Sequence, residues 1–469
     1  MPKVVLVHPP IVFGKRERLA LPPLGILYLA TYLRKKGIEA DIVDAFIRGH
    51  TYEELLGEIL AKKPDIVGLT AMTCQVPAVL DVIEAIKRKA PSIKIVIGGH
   101  HVNATKEELL AFSSHVDFLL YGEGEIEFHN LVRALETNGP LDRVRGLIYR
   151  NNDDVVRHAG PLPIQNLDEL PFPDLSLLDI KRYDIHYAKS RPLTSMLASR
   201  GCPFDCLYCG AALAYGRAVR FRSPANVVDE MAYHIQRFGI KQFLFKDSTL
   251  TADKKWVYDI CSEIQERNLK INWTCNTRAE LVDEGLLKAM KKSGCHGIAF
   301  GLESGSQRIL DLLQKEMTIE QIRHGLSLCQ AAGIERIGTF MIGNPTETPQ
   351  EAKATLRFLK ELDLDLAFVF ITTAYPGTAL YKWALENDAL SDTFWYMRRR
   401  KTAPEGDWEL GGSLKLKDFP IQERVRMVRR ATRSFYLSLP FMRKRIKKIR
   451  SLSDIARNIK PLGRLFLRG

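Results

Sequence analysis

The chain has 469 residues, 46% of them hydrophobic and 26% charged, which are the proportions of an ordinary soluble protein with room for two or three domains. Its eight cysteines lack the pattern of a disulfide framework, and its start carries no signal-peptide pattern, so we expect a reducing, cytoplasmic location. The longest apolar run, 19–33, is interrupted by Pro22 and Pro23 and is too short to span a bilayer.

Residues 1–145 alternate predicted strands and helices in the manner of a doubly wound α/β sheet. Strands are predicted at 4–8, 39–44, 65–70, 94–97 and 118–121, and helices at 24–36, 52–62, 79–90 and from 122 onward. Ligands of such sheets bind at the carboxyl ends of the strands, where glycine lets a large ligand approach the backbone closely. The candidate ligand-facing residues at those ends are Thr70, Gly98, Gly99, Gly122 and Glu123.

A linker is predicted over residues 146–192. It begins with a hairpin around 151–154 and continues through a proline-rich stretch, 161–173.

A second α/β series begins at residue 193, with strands predicted at 193–198, 242–246, 271–277, 297–301, 336–342 and 366–372. Six such units indicate a partial, open (β/α)6 barrel over 193–390, with its chemistry at the carboxyl ends of the strands. Residues 391–469 form a predicted C-terminal extension.

Three cysteines lie within eight residues of one another, in the loop that follows the first strand of this series: Cys202, Cys206 and Cys209. Iron–sulfur clusters are normally held by four cysteines, so three would leave one iron open to another ligand. An open metal position is typical of a reactive site. The alternative is a structural zinc site, which would need a fourth cysteine or histidine nearby.

Polar residues follow each later strand, at the edge where a ligand of the cluster would lie. At such an edge a carboxylate or hydroxyl can bind the hydroxyl groups of a ligand, a cation can bind a carboxylate, and backbone amides beside an apolar wall can bind an aromatic base. The candidates are Asp247, Arg278, Glu303 and Ser304, together with Met341, Ile342 and Gly343.

The cysteine spacing, with Tyr208 before the third cysteine and Gly210 after it, resembles the signature of the radical S-adenosylmethionine enzymes. The loops of residues 1–145, including 22–25, resemble the cobalamin-binding domain that precedes the radical core in one large subfamily. The resemblance implies a [4Fe–4S] cluster, S-adenosylmethionine on its open iron, and cobalamin. It also implies that Glu303 and Arg278 hold the ribose and the methionine end, and that the backbone of 341–343 lies against adenine.

Two positions depart from the family patterns. The histidine motif Asp-x-His-x-x-Gly is absent from the first strand-to-helix loop, and residues 44–49 match its spacing only with Phe46 in place of histidine. Cobalamin would therefore bind without a histidine ligand from that motif, and we expect His8, His100 and His101 to be loop or core residues. In the family stretch Gly-x-Pro-Gly-Glu-Thr, Thr346 replaces the second glycine.

By this resemblance the chain is an enzyme that methylates an unactivated carbon. A radical derived from S-adenosylmethionine would abstract hydrogen, cobalamin would deliver the methyl group, and an external donor such as flavodoxin or ferredoxin would supply electrons. Anaerobic oxidative cyclisation of a porphyrin is the alternative within the same superfamily. A non-catalytic iron–sulfur and corrinoid carrier is the alternative outside it.

The net charge of +13 is concentrated at the C-terminus. Residues 424–469 hold fifteen Lys or Arg and one acid, Asp454, which gives +14 and leaves −1 for residues 1–423. Apolar residues are interleaved with these cations, so the segment is predicted to lie on an anionic membrane surface, which would favour a lipid substrate such as a hopanoid. The alternative is a helix packed on the barrel with a solvated basic face; no nucleic-acid partner is expected.

Overall fold

The computed structural model describes residues 2–11, 13, 20–152, 154–397 and 413–448. The first sheet has the strand order β2-β1-β3-β4-β5-β6-β7. Its strands are β1 Val4–His8, β2 Ala40–Asp44, β3 Ile66–Thr70, β4 Lys94–Gly98, β5 Phe118–Leu120, β6 Leu147–Asn151 and β7 Asp154–Arg157. The helices beside them are α1 Leu24–Lys35, α2 Ala45–Arg48, α3 Tyr52–Ala61, α4 Val76–Lys89, α5 His100–Thr105, α6 Glu108–Phe112 and α7 Gly124–Thr137.

The first five strands are parallel, and their apolar runs are buried on both faces, as expected of a sheet covered by helices on both sides. Strand order 2-1-3-4-5 with helices on both faces is the doubly wound arrangement that the sequence predicts. The short helices α5 and α6, between β4 and β5, were not predicted.

The hairpin β6–β7 is part of the first sheet and does not belong to the linker. Strand β6 pairs antiparallel with β5, placing Leu119 opposite Ile148, and both side chains are buried. The predicted separation of residues 146–157 from the first domain is therefore wrong. The turn residues at 151–154 predict the hairpin, but they cannot show that the hairpin pairs with the free edge of β5.

The second sheet has the order β15-β14-β13-β12-β11-β8, and all its neighbouring strands are parallel. These strands are β8 Leu193–Met196, β11 Gln242–Phe245, β12 Asn272–Thr277, β13 Cys295–Glu303, β14 Glu335–Ile342 and β15 Leu366–Ile371; a separate ladder joins β9 Ser199–Arg200 to β10 Arg220–Phe221. The first and last strands of the series are not paired in the described part of the chain, which confirms the partial barrel.

Helices alternate with these strands, and most cover the outer face of the sheet, whereas Ala211–Tyr215 and Ala379–Glu386 lie beside the cysteine loop. The helices are α8 Ala211–Tyr215, α9 Pro224–Phe238, α10 Lys254–Glu266, α11 Glu284–Lys292, α12 Gln307–Leu312, α13 Ile319–Ala331, α14 Pro349–Glu361 and α15 Ala379–Glu386. Large apolar side chains such as Trp273, Phe300 and Phe340 point outward from the strands into the core that these helices share with the sheet.

The C-terminal helices α16 Ile421–Tyr436 and α17 Leu439–Lys448 pack on the outer face of β15. The Tyr436 hydroxyl donates to the Ala367 carbonyl at 2.8 Å, and the Lys444 ammonium lies 2.7 Å from an Asp363 carboxylate oxygen. The apolar face of the extension, namely Met427, Val428, Phe435 and Phe441, is buried in the shared core.

The prediction of a membrane contact is therefore wrong for these four buried side chains of the segment 424–441, for which the alternative of a helix packed on the barrel is confirmed; Leu437 and Leu439 are exposed. A basic, amphipathic pattern cannot distinguish a membrane from the protein's own sheet, because both accept the same apolar stripe. Residues 449–469 of the predicted tail lie outside the described residues. Within the described part, no helix is both long and apolar enough to cross a membrane.

Candidate active site

The three cysteines of the motif lie in one loop between β9 and β10. Cys202 is buried, Cys206 is half-buried and Cys209 is exposed, so the loop opens towards the carboxyl edge of the barrel. The amide of Cys209 donates to the Cys206 carbonyl at 3.0 Å, and the amide of Ala211 donates to the Cys209 sulfur at 3.4 Å. The loop backbone therefore turns tightly around the last two sulfurs.

The loop suits an iron–sulfur cluster better than a zinc ion. Its three free cysteines equal the number of protein ligands of a cluster with one open iron. Zinc needs four ligands around a single ion, whereas each cysteine of a cluster binds a different iron and the sulfurs stand farther apart. The Arg278 guanidinium donates to the Cys206 sulfur at 3.8 Å, which places a cation beside the loop.

Glu303 is joined to the cysteine loop by hydrogen bonds. Its buried carboxylate accepts from the Tyr208 hydroxyl at 2.8 Å and lies 3.4 Å from the Lys315 ammonium. Burial, followed by the charge of Glu303, raises the pKa of Tyr208, so the hydroxyl stays protonated and donates. Glu303 also has a left-handed backbone, with φ of 62°, at the end of β13. Such a conformation in a non-glycine residue is often retained at a functional site.

Arg278 lies directly beneath the cysteine loop. Its guanidinium lies 3.8 Å from the centre of the Phe204 ring, pairs with Glu280, and donates to the carbonyls of Lys315 and Glu316. These contacts leave the side chain 4% exposed, so its position is fixed before any ligand binds.

Asp247 and Ser304 are both buried and have protein partners. The Asp247 carboxylate accepts from the Ser199 amide at 2.5 Å, from the Ser199 hydroxyl at 2.6 Å and from the Ala198 amide. Burial raises the pKa of Asp247 to about 6 in spite of these bonds. The Ser304 hydroxyl lies 3.1 Å from the Thr355 hydroxyl, on α14. Asp247 therefore holds the start of the cysteine loop, and Ser304 anchors the turn after Glu303.

The turn after β14 contains the residues expected beside adenine. Met341 and Ile342 end the strand, and Gly343 follows with φ of 85°. The amides of Gly343 and Asn344 donate to the buried Glu347 carboxylate at 2.5 and 2.9 Å, and burial raises the pKa of Glu347 to about 7. The buried Arg424 side chain of α16 packs directly on Gly343, a contact that sequence reasoning missed.

Thr346 adopts the left-handed conformation that its family glycine would adopt, with φ of 55°. The Arg308 guanidinium donates to the Thr346 hydroxyl and to its carbonyl, both at 3.0 Å. These bonds stabilise a backbone conformation that is strained for threonine.

At the carboxyl edge of the first sheet, two of the glycines occupy close-packed positions. A Cβ on Gly99, whose φ is 97°, would lie 2.7 Å from the Thr70 hydroxyl and 2.9 Å from the Ala71 amide, and a Cβ on Gly122 would overlap Pro161. Gly98 ends β4, next to the Leu120 carbonyl. Thr70, Gly98 and Gly99 thus form a half-exposed backbone surface, while Gly122 is covered by the linker.

The histidines of this edge differ in their surroundings. His8 is bonded to the buried Asp44 at 3.0 Å, and that carboxylate also accepts from the Tyr183 hydroxyl at 2.6 Å. His101 is fully buried and its Nδ1 lies 3.3 Å from the Thr73 hydroxyl. His100, by contrast, is exposed. The expectation of loop and core histidines agrees with this placement.

Glu123 does not face the cofactor edge but bridges the two domains. Its buried carboxylate pairs with Arg200 at 2.7 Å and with Arg220, and Glu125 pairs with Arg200 at 2.5 Å. Sequence reasoning missed Arg200, Arg220 and Glu125. The signal available for Arg200 was its position two residues before Cys202.

The carboxyl edges of the two sheets face each other. A Cβ on Gly377, in the loop after β15, would lie 2.9 Å from the side chain of Ala104 on α5. Helix α5 also contacts α8, which follows the cysteine loop. Large apolar side chains on loops and strands of these edges are exposed: Met72 by 40%, Phe370 by 49% and Tyr375 by 45%. The arrangement can hold a cluster and its ligand on one edge and a large flat ligand on the other.

Family models agree with this two-part site. Residues 16–132 match the model of the B12 binding domain, and residues 196–359 match that of the radical SAM superfamily.

Several known proteins resemble most of the chain. A methyltransferase of Pyrococcus horikoshii, itself uncharacterised, is 35% identical over 438 residues, covering 93% of this chain and 92% of the relative. Anaerobic magnesium-protoporphyrin IX monomethyl ester cyclase of Rubrivivax gelatinosus is 30% identical, covering 81% and 69%. Hopanoid C-3 methylase of Methylococcus capsulatus is 26% identical, covering 83% and 73%.

A solved structure shares the fold. The radical S-adenosylmethionine methyltransferase TsrM of Kitasatospora setae, solved with cobalamin and a [4Fe-4S] cluster bound, superposes with a TM-score of 0.68 at 20% identity, covering 82% of this chain and 75% of that one.

The fold and the cysteine loop together define a radical S-adenosylmethionine enzyme whose barrel follows a B12-binding domain. The chain belongs to the family of cobalamin-dependent radical S-adenosylmethionine enzymes that includes methyltransferases and magnesium-protoporphyrin cyclases. Its cofactors are accordingly a [4Fe–4S] cluster, S-adenosylmethionine and cobalamin. Methyl transfer is the activity that these comparisons support.

Proposed function

We propose that the enzyme methylates an unactivated carbon of an apolar small molecule held between its two domains. One observation carries the proposal: the cysteine loop and the glycine-lined edge lie at facing carboxyl edges, with Met72 and Tyr375 exposed there. Reaction between two cofactors requires that they share one water-poor space, and apolar walls favour an apolar substrate within it.

On the barrel side, we propose that Cys202, Cys206 and Cys209 bind three irons of the cluster and that S-adenosylmethionine binds the fourth iron. Tyr208 and Gly210 would shape the loop around it. When bound, the cofactors would supply a 5′-deoxyadenosyl radical, from one-electron cleavage of one S-adenosylmethionine to methionine, and a methyl group on cobalamin, taken from a second S-adenosylmethionine that leaves as S-adenosylhomocysteine. An external one-electron donor would approach the exposed Cys209 side of the loop.

The side chains around the loop would position S-adenosylmethionine. Arg278, held rigidly by Glu280 and two carbonyls, offers a cation for the methionine carboxylate. Glu303 offers a carboxylate to the ribose, and the backbone of 341–343 offers its edge to adenine. Asp247 and Ser304 are fully buried, so we propose that they position the loop and the turn and do not touch the cofactor.

On the first domain, we propose that the surface of Thr70, Gly98 and Gly99 receives cobalamin. His8 is bonded to Asp44 and His101 is buried beside Thr73, so neither is available to cobalt. His100 is exposed beside Gly99 but belongs to no Asp-x-His-x-x-Gly motif, and we propose binding without a protein histidine ligand.

For the substrate, we propose an apolar lipid such as a hopanoid. The hopanoid methylase relative and the exposed apolar side chains at the facing edges both support a lipid. Residues 449–469, with their excess of Lys and Arg, could bring the enzyme to an anionic membrane surface.

A second candidate is oxidative ring closure on a porphyrin, which the cyclase relative supports. Phe368 and Phe370 of β15 stack nearly parallel, at 13° with ring centres 6.3 Å apart, and Phe370 is exposed. Such a pair could pack against a flat macrocycle.

An experiment with S-adenosylmethionine that carries a deuterated methyl group distinguishes the two candidate functions by their products. The loaded enzyme is incubated with reductant and either a hopanoid or magnesium-protoporphyrin monomethyl ester. Our proposal predicts deuterated methyl in the hopanoid and none in the porphyrin. Ring closure of the porphyrin without label, with the hopanoid unchanged, would contradict it and support the cyclase.

A further inference from the structure

The cysteine loop is closed at its base by a short ladder. Strands β9 and β10 pair antiparallel with Arg200 directly opposite Arg220, and the 19 residues between them, 201–219, contain all three cysteines of the motif. The position of this ladder therefore fixes the ends of the loop.

Both arginines of the ladder reach the N-terminal end of α7 in the first domain, where Glu123 is the N-cap and Glu125 lies in the first turn. Arg200 donates to Glu123 at 2.7 Å and to both oxygens of Glu125 at 2.5 and 3.3 Å, while Arg220 donates to the other oxygen of Glu123. Arg200, Glu123 and Glu125 are 4–7% exposed. Burial would lower the pKa of Arg200, but Glu125, Tyr215 and Glu123 outweigh it and raise the pKa, so the guanidinium stays charged.

We propose that this network of Arg200, Arg220, Glu123 and Glu125, the interdomain latch, positions the cluster relative to the cobalamin-binding edge. It lies two residues from Cys202 on one side. On the other side it directly follows Gly122, whose amide donates at 2.7 Å to Asn103 of α5, the helix that begins after Gly99. These four are positioning residues, since their charged groups are satisfied by each other and not by a cofactor. The inference rests on the proposed function, because it requires both cofactors to be bound.

Buried ion pairs are a poor means of gaining stability, because desolvation offsets most of the attraction. They do impose a single geometry, because any displacement leaves charges unpaired. A four-residue network between two domains therefore resists sliding of one edge past the other. Arg222 and Glu230 form a second buried pair a few residues along the chain, but both residues belong to the barrel domain, which makes Glu230 a matched control.

The test measures the distance between the cofactors in full-length holoenzyme by electron paramagnetic resonance. The reduced cluster and the Co(II) form of cobalamin are both paramagnetic, and their coupling falls steeply with separation. We expect a single coupling in the native protein and in Glu230→Gln. In Glu125→Gln it should weaken or broaden, with iron and corrinoid content unchanged.

A product measurement accompanies the distance. We expect Glu125→Gln to lower the corrinoid-dependent formation of S-adenosylhomocysteine by roughly 10- to 100-fold, the usual cost of misplacing reacting groups by about an ångström. Formation of 5′-deoxyadenosine, which needs only the barrel, should change less than about twofold. If Glu125→Gln does not fold, Arg200→Lys is the second test variant, because lysine keeps the positive charge but cannot form the two-nitrogen contact of arginine with Glu123 and Glu125.

An unchanged coupling in both latch variants would overturn the inference while leaving the proposed function in place. Equal weakening in Glu230→Gln would also overturn it, because loss of any buried pair would then suffice. A native protein that binds no corrinoid would overturn the proposed function, and the latch with it.

Discussion

The two facing edges of the molecule are built differently. The barrel edge is dense in charge: Glu303, Arg278 and Lys315 are buried and already bonded to one another or to the loop. The edge of the first domain is mainly backbone, with Thr70, Gly98 and Gly99 presenting little side chain. From this contrast we expect charged groups to bind S-adenosylmethionine and the shape of the backbone surface to bind the corrinoid. It follows that substitutions should affect the two cofactors separately, and by different mechanisms.

The largest effect is expected from the cysteines. Cys206→Ala removes one of three ligands, so we expect loss of nearly all bound iron and of 5′-deoxyadenosine formation, with corrinoid binding retained. Iron analysis and visible spectra measure both. Cys329→Ala, at a fully buried cysteine of the core, is the control and should keep its iron. Native iron content in Cys206→Ala would show that the loop is not the cluster site.

A large effect on the charged edge is expected from Glu303→Gln. It removes the charge that pairs with Lys315, and hydrogen bonds to charged groups contribute about 1.5–3 kcal/mol, so the Kd for S-adenosylmethionine should rise roughly 10- to 100-fold. Equilibrium dialysis with the iron-loaded protein gives the Kd. Glu320→Gln, an exposed carboxylate on α13, should leave it unchanged. Equal affinities in the two variants would remove Glu303 from the binding site.

A smaller effect, confined to the other edge, is expected from Gly99→Ala. A Cβ there would lie 2.7 Å from the Thr70 hydroxyl on a left-handed backbone, at a cost of about 1–3 kcal/mol. Corrinoid affinity should fall while iron content stays native. Gly57→Ala, in α3 with open space around it, should stabilise the protein by about 0.5–1 kcal/mol. A Gly99→Ala protein with native corrinoid affinity would show that cobalamin does not use this surface.

The smallest effect is expected from removing residues 449–469. Because α16 and α17 remain, we expect iron content, corrinoid content and 5′-deoxyadenosine formation within about twofold of the native protein. Only sedimentation with anionic vesicles should decrease, by an amount that falls as salt rises. Identical, salt-insensitive sedimentation of the two forms would remove the membrane proposal.

Local patterns predicted most of the fold and the charged edge. Cys202, Cys206 and Cys209 were identifiable from their spacing alone, and the parallel strands from their buried apolar runs. Arg278 and Glu303 could be placed because polar residues after parallel strands meet at one edge.

What the sequence could not show depends on pairings between distant segments. Glu123 looks like a cofactor residue in its own loop, and only the approach of Arg200, 77 positions away, shows that it joins two domains. The hairpin could not be assigned to the first sheet without knowing that β5 had a free edge. Arg424 looked like the start of a solvated tail, but it is buried against Gly343.

Both edges are expected to consume S-adenosylmethionine: the cluster on the barrel edge cleaves it, and cobalamin on the edge of the first domain takes its methyl group. The most direct measurement is to load the full-length protein anaerobically with iron, sulfide and cobalamin, add reductant and S-adenosylmethionine, and quantify two products. We expect 5′-deoxyadenosine in every iron-loaded sample, and S-adenosylhomocysteine only when cobalamin is also bound. A fully loaded protein that forms neither product, or S-adenosylhomocysteine formation that is indifferent to cobalamin, would contradict this expectation.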